Sequence, residues 1–244
     1  LSKSRIIETQ NLAAQYKGNF ISDSFEYQFT SARLSIRNIN TRDFIENYAY
    51  DPKAFLDFPS RIIDDYAYGL ALTKEKKYDE SASVLLTLLK FLETQDRLYI
   101  IKNYISVALS DSYIKNGDHD KAISILKSLN NIYPNDNAIL YYLSDALIKN
   151  KEYREVINKL IPYVIEHKDH MLVIKISEAA YKLKEKSLGH EYRGDYLKML
   201  GSLNSAIKYY KLALKYNMKG ETIDKRIMSK IKEIEKLKEN KEIL

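Results

Sequence analysis

Cysteine and tryptophan are absent from this 244-residue chain, and glycine (7) and proline (4) are scarce. Without cysteine there is no disulfide scaffold, no cysteine-ligated zinc, no iron–sulfur cluster and no thiol nucleophile. That absence leaves the compartment open, because an exported protein can do without disulfides. Glycine and proline together make up about 4.5% of the residues, against roughly 12% in an average chain. Sandwiches and barrels need such punctuation at every turn, so the count argues against an all-β fold. It also excludes collagen-like and low-complexity chains. No apolar run approaches the ~18 residues of a membrane span. An excess of one charge is missing too: 39 basic and 33 acidic residues leave only +6. The two signs are interleaved, as on a solvated helical surface, whereas a nucleic-acid binder gathers lysine and arginine on one face. What is present in quantity is apolar surface, 45% of residues, enough for a sizeable core.

That apolar surface is periodic. Gly117–Leu126 (GDHDKAISIL) and Lys151–Leu160 (KEYREVINKL) begin 34 residues apart (151 − 117), the length of a tetratricopeptide repeat of two antiparallel helices. In the frame from Asn103, Leu109, Ser110 and Tyr113 fall on the buried face of a first helix. Ala122, Leu126 and Leu129 fall on that of the second, and Pro134 closes the unit. The frame from Asn137 gives Leu140, Leu143, Ser144 and Leu147, then Val156, Leu160 and Tyr163. Both follow the i, i+3, i+4, i+7 spacing of an amphipathic helix. An earlier unit places Asp65, Tyr68, Gly69 and Leu72 on a first helix opened by Pro59, with its turn at Lys77–Ala82. A seven-residue surplus, Phe91–Arg97, is expected to lengthen its second helix.

Towards the C terminus the period breaks. A fourth unit is expected from Met171, with Ile174, Ser177, Glu178 and Tyr181 on one face. The turn at Gly201–Ala206 follows the one near Glu185 by only 16 residues, half a repeat. His190–Leu200 is therefore expected to close one unit and open the next, with Gly194 at a close helix crossing. Glu221–Asn240 carries Ile223, Ile227, Ile231, Ile234 and Leu237 on one stripe, as a capping helix would. Near the N terminus, Ser2–Tyr16 and Asp23–Arg37 read as helices, the latter with Phe25, Phe29, Ala32 and Ile36 on one face. Pro162 is expected to kink or end its helix. The expected fold is all-α: an α-solenoid of tetratricopeptide helix hairpins over 61–216, an N-terminal helical segment (1–60) packed on it, and a capping helix (217–244).

Several segments resemble one family in order. Arg5–Gln15 (RIIETQNLAAQ), Phe25–Leu34 (FEYQFTSARL), Tyr68–Leu72, Gly189–Ile207 (GHEYRGDYLKMLGSLNSAI) and Arg226–Leu237 are similar to the region that follows the protease domain in BepA-type periplasmic zinc metalloproteases. The resemblance implies a tetratricopeptide domain that serves outer-membrane protein assembly and quality control in Gram-negative bacteria. It implies a periplasmic location, outer-membrane proteins or their assembly machinery as partners, and a zinc metalloendopeptidase as the parent. No HExxH occurs in the chain; Gly189–Arg193 (GHEYR) lacks the second histidine. No catalytic or metal residue is carried over, and zinc is expected only in a protease domain outside this chain. The start at Leu1 rather than Met agrees with an upstream domain, and no signal peptide is seen. The alternative is a stand-alone adaptor that binds a peptide of a cytoplasmic or secretion-system partner.

No enzyme is expected within these residues. His167-Lys-Asp-His170 reads as a polar turn, His190 as a packed histidine, and Asp64–Asp65 and Asp118–Asp120 as helix starts. There is no phosphate loop and no nucleophile elbow. The abundant tyrosine, 21 residues, suits a peptide groove. The first helices of such repeats line the concave face. Its expected positions are Tyr66, Leu70 and Lys74, then Tyr104, Asp111 and Lys115, then Tyr141, Asp145 and Lys149, with Lys175 beyond. This mix of aromatic and charged groups suits an extended or helical protein segment. Leu70, Asp111 and Tyr142 occupy the asparagine positions of the carboxylate clamp known in this repeat class, and Asp111 would repel a carboxylate there.

Overall fold

Short polar breaks between apolar stripes of helical period give a run of helices joined by tight turns. The computed structural model describes residues 24–52, 60–93, 99–218 and 220–242. Among them there are twelve α-helices and no strand. The first two are α1 (Phe25–Asn38) and α2 (Thr41–Asn47). Seven follow as α3 (Ser60–Lys74), α4 (Tyr78–Glu93), α5 (Tyr99–Asn116), α6 (His119–Ile132), α7 (Asn137–Lys149), α8 (Tyr153–Glu166) and α9 (His170–Lys182). The last three are α10 (Lys186–Met199), α11 (Leu203–Lys215) and α12 (Glu221–Glu242). None of the described helices is long and apolar enough to cross a membrane. From α3 onward each helix packs on the next, and α3, α5, α7 and α9 also pack on one another. Alternate helices thus share a layer, and the arrangement is solenoid-like.

One device ends the helices of that layer. Lys76, Gly117, Lys151, Lys184 and Gly201 have left-handed backbone, at intervals of 41, 34, 33 and 17 residues. After each, the next N–H reaches back to the carbonyl five residues earlier: Lys77 to Leu72, Asp118 to Tyr113, Glu152 to Leu147, Glu185 to Ala180 and Ser202 to Leu197, at 2.8–2.9 Å. This is the Schellman closure, which satisfies orphan carbonyls and reverses the chain. α10 ends in the same way, and it packs on both α9 and α11.

Small residues let paired helices approach. Ser81 Oγ donates to the Gly69 carbonyl at 2.8 Å, and Ser177 Oγ to the Gly189 carbonyl at 2.8 Å. Thr73, Ser81 and Ser112 join their hydroxyls across α3, α4 and α5. The expected buried faces of α5 to α7 are buried, from Leu109, Ser110 and Tyr113 through Ala122 and Leu126 to Leu140, Leu143, Ser144 and Leu147. On α9 the buried face is Leu172, Val173, Ile176, Ala179 and Ala180, while Tyr181 is 37% exposed. The expected face was rotated there because Ser177 belongs to both stripes. α8 runs through Pro162 to Glu166. Its proline removes one helical bond in the last turns, and buried Leu160 and Val164 hold the helix on either side. Ile227, Ile231 and Ile234 seat α12 on Ala206, Tyr210 and Ala213 of α11. Expectations for Ser2–Tyr16, Pro59 and most of Phe91–Arg97 lie outside the described residues.

Candidate binding groove

α1 starts at Ser24, whose hydroxyl accepts the Tyr27 N–H at 3.3 Å. Its apolar stripe does not face solvent: α1 packs on α3 and α5, on the very face expected to bind a partner. Phe29 is 0% exposed, its ring 4.8 Å from that of Tyr66 and 5.4 Å from that of Tyr104. Lys74 donates to the carbonyls of Ile36 (2.9 Å), Arg37 (3.3 Å) and Ile39 (3.4 Å) at the end of α1. A cation there meets both the orphan carbonyls and the negative end of the helix dipole. Next to it, Glu75 accepts from Thr41 (2.5 Å) and Arg42 (3.0 Å), so the start of α2 is tied to the end of α3.

The ten expected groove residues therefore fall into two groups. Tyr66 and Leu70 are core residues beneath α1, not an open surface, and Tyr104 is half-buried against Phe29. Lys74 is spent on α1. All four were expected to face a partner; Tyr66 and Leu70 are instead buried and Tyr104 half-buried beside α1, whose apolar stripe needs an apolar surface of its own, while Lys74 stays exposed with its ammonium on the end of α1. Burial pushes the Tyr66 phenol up to about 12, with Arg33 opposing, and its hydroxyl has no hydrogen-bond partner among the described residues.

The second group lies further along. Lys115 pairs with Asp111 at 2.8 Å, and Lys175 with Asp145 at 2.5 Å. Lys175 also sits 4.8 Å over the Tyr141 ring and is 7% exposed, so its charge is used internally, against the expectation. Tyr141 meets Tyr142 edge-on, with centroids 5.6 Å apart. Lys149 is exposed and makes no ion pair among the described residues. The surface left open is Asp111, Lys115, Tyr141, Asp145 and Lys149, nearly neutral in pairs.

Arg33 was not among the expected residues. From α1 it reaches α7, where Nη2 donates to Tyr142 Oη at 2.9 Å and the guanidinium lies 5.7 Å over the ring. Its spacing of four from Phe29 put it on the buried side of the helix, which was the available signal. A second feature, Glu191, was also missed. It is 2% exposed and accepts two bonds from Arg226 (2.9 and 2.6 Å) and one from Lys230 (2.8 Å). Lys230 also pairs with Asp195 at 2.7 Å, and Tyr210 donates to Asp195 at 2.6 Å. Acids four apart on α10 facing bases four apart on α12 bind those helices together.

Three of the four histidines lie beside tyrosine rings. His167 lies 4.5 Å from the Tyr163 ring, and Asp169 between it and His170 caps α9 by accepting from Met171 (2.7 Å) and Leu172 (3.2 Å). Among the described residues no three histidine, aspartate or glutamate side chains gather as metal ligands. His190 stacks on Tyr216 (5.4 Å), and its Nδ1 hydrogen-bonds Tyr181 Oη at 2.8 Å. Desolvation first, and then the nearby Lys186 cation, hold its pKa below the ordinary 6.5. The unfolded chain thus takes up this proton at a higher pH than the folded one. Folding stability is expected to decline as pH falls through 6.5 towards the lowered folded value. In urea titrations across that range, His190→Phe should flatten the decline; an unchanged slope would assign it to other groups.

No protein-family model and no curated protein matches the chain.

Proposed function

We propose that the chain is a non-catalytic protein-interaction module built of tetratricopeptide-type hairpins, akin to the repeat region of a BepA-type periplasmic metalloprotease, and that it receives outer-membrane proteins or their assembly machinery. The observation that carries this reading is the recurrence of one helix-ending turn at Gly117, Lys151 and Lys184, intervals of 34 and 33 residues. Further support comes from the layer formed by α3, α5, α7 and α9, which offers aromatic and charged side chains on one face. The α10 helix, closed by the same turn and packed on both sides, acts as the second helix of one hairpin and the first of the next.

The test is binding of an unfolded outer-membrane β-barrel protein to the whole chain, followed by fluorescence anisotropy. Saturable binding is expected. Lys149→Glu, which reverses the unpaired cation of the open surface, should weaken it with melting unchanged. Absence of saturable binding, or indifference to Lys149→Glu, would overturn the reading. Cleavage of the client in the presence of zinc would overturn its non-catalytic part.

A further inference from the structure

We infer that α1, once seated, builds with α5 and α7 a site for an acidic segment of a protein partner, anchored on Arg33. The inference rests on the interaction-module reading and names the chemistry of its partner.

Beside Arg33 lies a cavity of about 390 Å³. Its polar wall is Arg33 of α1 with Asn103 and Tyr104 of α5, and its apolar floor is Val107, Ala138 and Ile139. Guanidinium groups carry five N–H donors. Among the described residues the one acceptor of Arg33 is the neutral Tyr142 hydroxyl, and no carboxylate there forms an ion pair with it. Asp111 favours the charged form of Arg33 from a distance, but no carboxylate takes the guanidinium in a direct pair, and a phenol with a ring face satisfies only part of its donors. The Asn103 amide and the Tyr104 hydroxyl likewise have no hydrogen-bond partner among the described residues. Arg33, Asn103 and Tyr104 thus line one cavity with an apolar floor and have donors to offer there.

Nearby acids do not fill this role. Asp136 also lines the cavity, and its Oδ1 caps α7 by accepting the Ile139 N–H at 3.0 Å, so it is turned to the helix start and makes no pair with Arg33. Asp111 is held by Lys115 at 2.8 Å. The complementary guest is a glutamate or aspartate whose carboxylate takes the fork of Arg33, with an apolar neighbour on Val107 and Ile139. A lone small anion would leave the floor uncovered, so the occupant is a peptide. Here α1 is a wall of the site and not merely a plug in the groove.

The test uses short fluorescein-labelled peptides carrying Leu-Glu, Leu-Asp or Phe-Glu, each with its glutamine or asparagine twin, titrated with the whole chain. Acidic peptides should bind about tenfold or more tightly than their twins, the size of a charge-assisted contact. Arg33→Gln should erase that preference. Should Arg33→Gln also release α1, Asn103→Asp supplies the second arm: it adds a negative charge to the cavity from α5 and should weaken acidic peptides while sparing the twins. Equal binding of acids and twins overturns the site and leaves the interaction-module reading intact. A preference that survives both variants places the anchor elsewhere and also overturns the site. No binding of any peptide overturns the site, while the module reading is still judged by the β-barrel client.

Discussion

Phe29→Ala is expected to release α1 from the groove. The ring is 0% exposed between Tyr66 and Tyr104, and truncating such a phenylalanine costs about 3–5 kcal/mol. The loss falls on one helix held from one side. α1 contacts α3 and α5, whereas α3 is also held by α4 and the rest of the stack. Its contacts therefore break by local opening before the solenoid unfolds. Hydrogen exchange of the α1 amides should rise steeply while amides of α7 and α9 stay protected. Release would also uncover Tyr66, Leu70 and Tyr104 together, so binding of an apolar dye should increase. Uniform loss of protection in all helices would mean that α1 is part of the global cooperative unit.

Gly194→Leu should be the most disruptive single substitution in the C-terminal half. A Cβ at Gly194 would stand 2.5 Å from Tyr210 Cε1 and 2.6 Å from Cδ1. The ring has little freedom to retreat: Tyr210 is 0% exposed, and its hydroxyl is held by Asp195 at 2.6 Å. Replacing a helical glycine gains about 1 kcal/mol of propensity, but overpacking a filled contact costs about 1–3 kcal/mol, and the upper end or more where the ring it strikes is pinned. The clash therefore prevails. Separation of α10 from α11 also loosens α12, which rests on α11 and on Glu191 of α10. Urea unfolding should show a lower midpoint together with early loss of α11 and α12 signals. Gly189→Ala is the control. Its Cβ would meet the Tyr181 ring at 2.7 Å, but Tyr181 is 37% exposed and can swing towards solvent. A midpoint for Gly194→Leu no lower than that of Gly189→Ala would contradict the close crossing.

Much of the fold was legible because burial on a helix is periodic. Leu109, Leu126, Leu143 and Leu160 repeat at intervals near half a repeat, and all four are fully buried. The tight turns were legible from Gly117 and Gly201, which adopt left-handed backbone. Lys76, Lys151 and Lys184 adopt it as well, though lysine carries no such signal; there the reach-back bond and the packing of the next helix impose the conformation. The groove was only half legible. A pattern of positions shows which side of a helix is apolar or aromatic but not which neighbour covers it. Tyr66 and Tyr141 occupy equivalent places in the repeat, yet one is fully buried beneath Phe29 and the other still reaches the surface. The same limit applies to charge. Lys74, Lys115, Lys149 and Lys175 look alike in sequence; the structure gives one to helix carbonyls, two to aspartates and one to solvent.

By itself, the sequence determined an all-helical chain, the phase of most buried stripes, the turns that divide it and the lack of cysteine chemistry, because each depends on residues a few positions apart. Tertiary structure alone decided that α1 packs across α3 and α5, that Arg33 meets Tyr142 across 109 positions, and that Glu191 gathers Arg226 and Lys230. Those pairings join residues distant in the chain. They are chosen by which exposed apolar stripe and which unpaired charge can be satisfied at the same place, a competition that no local pattern records.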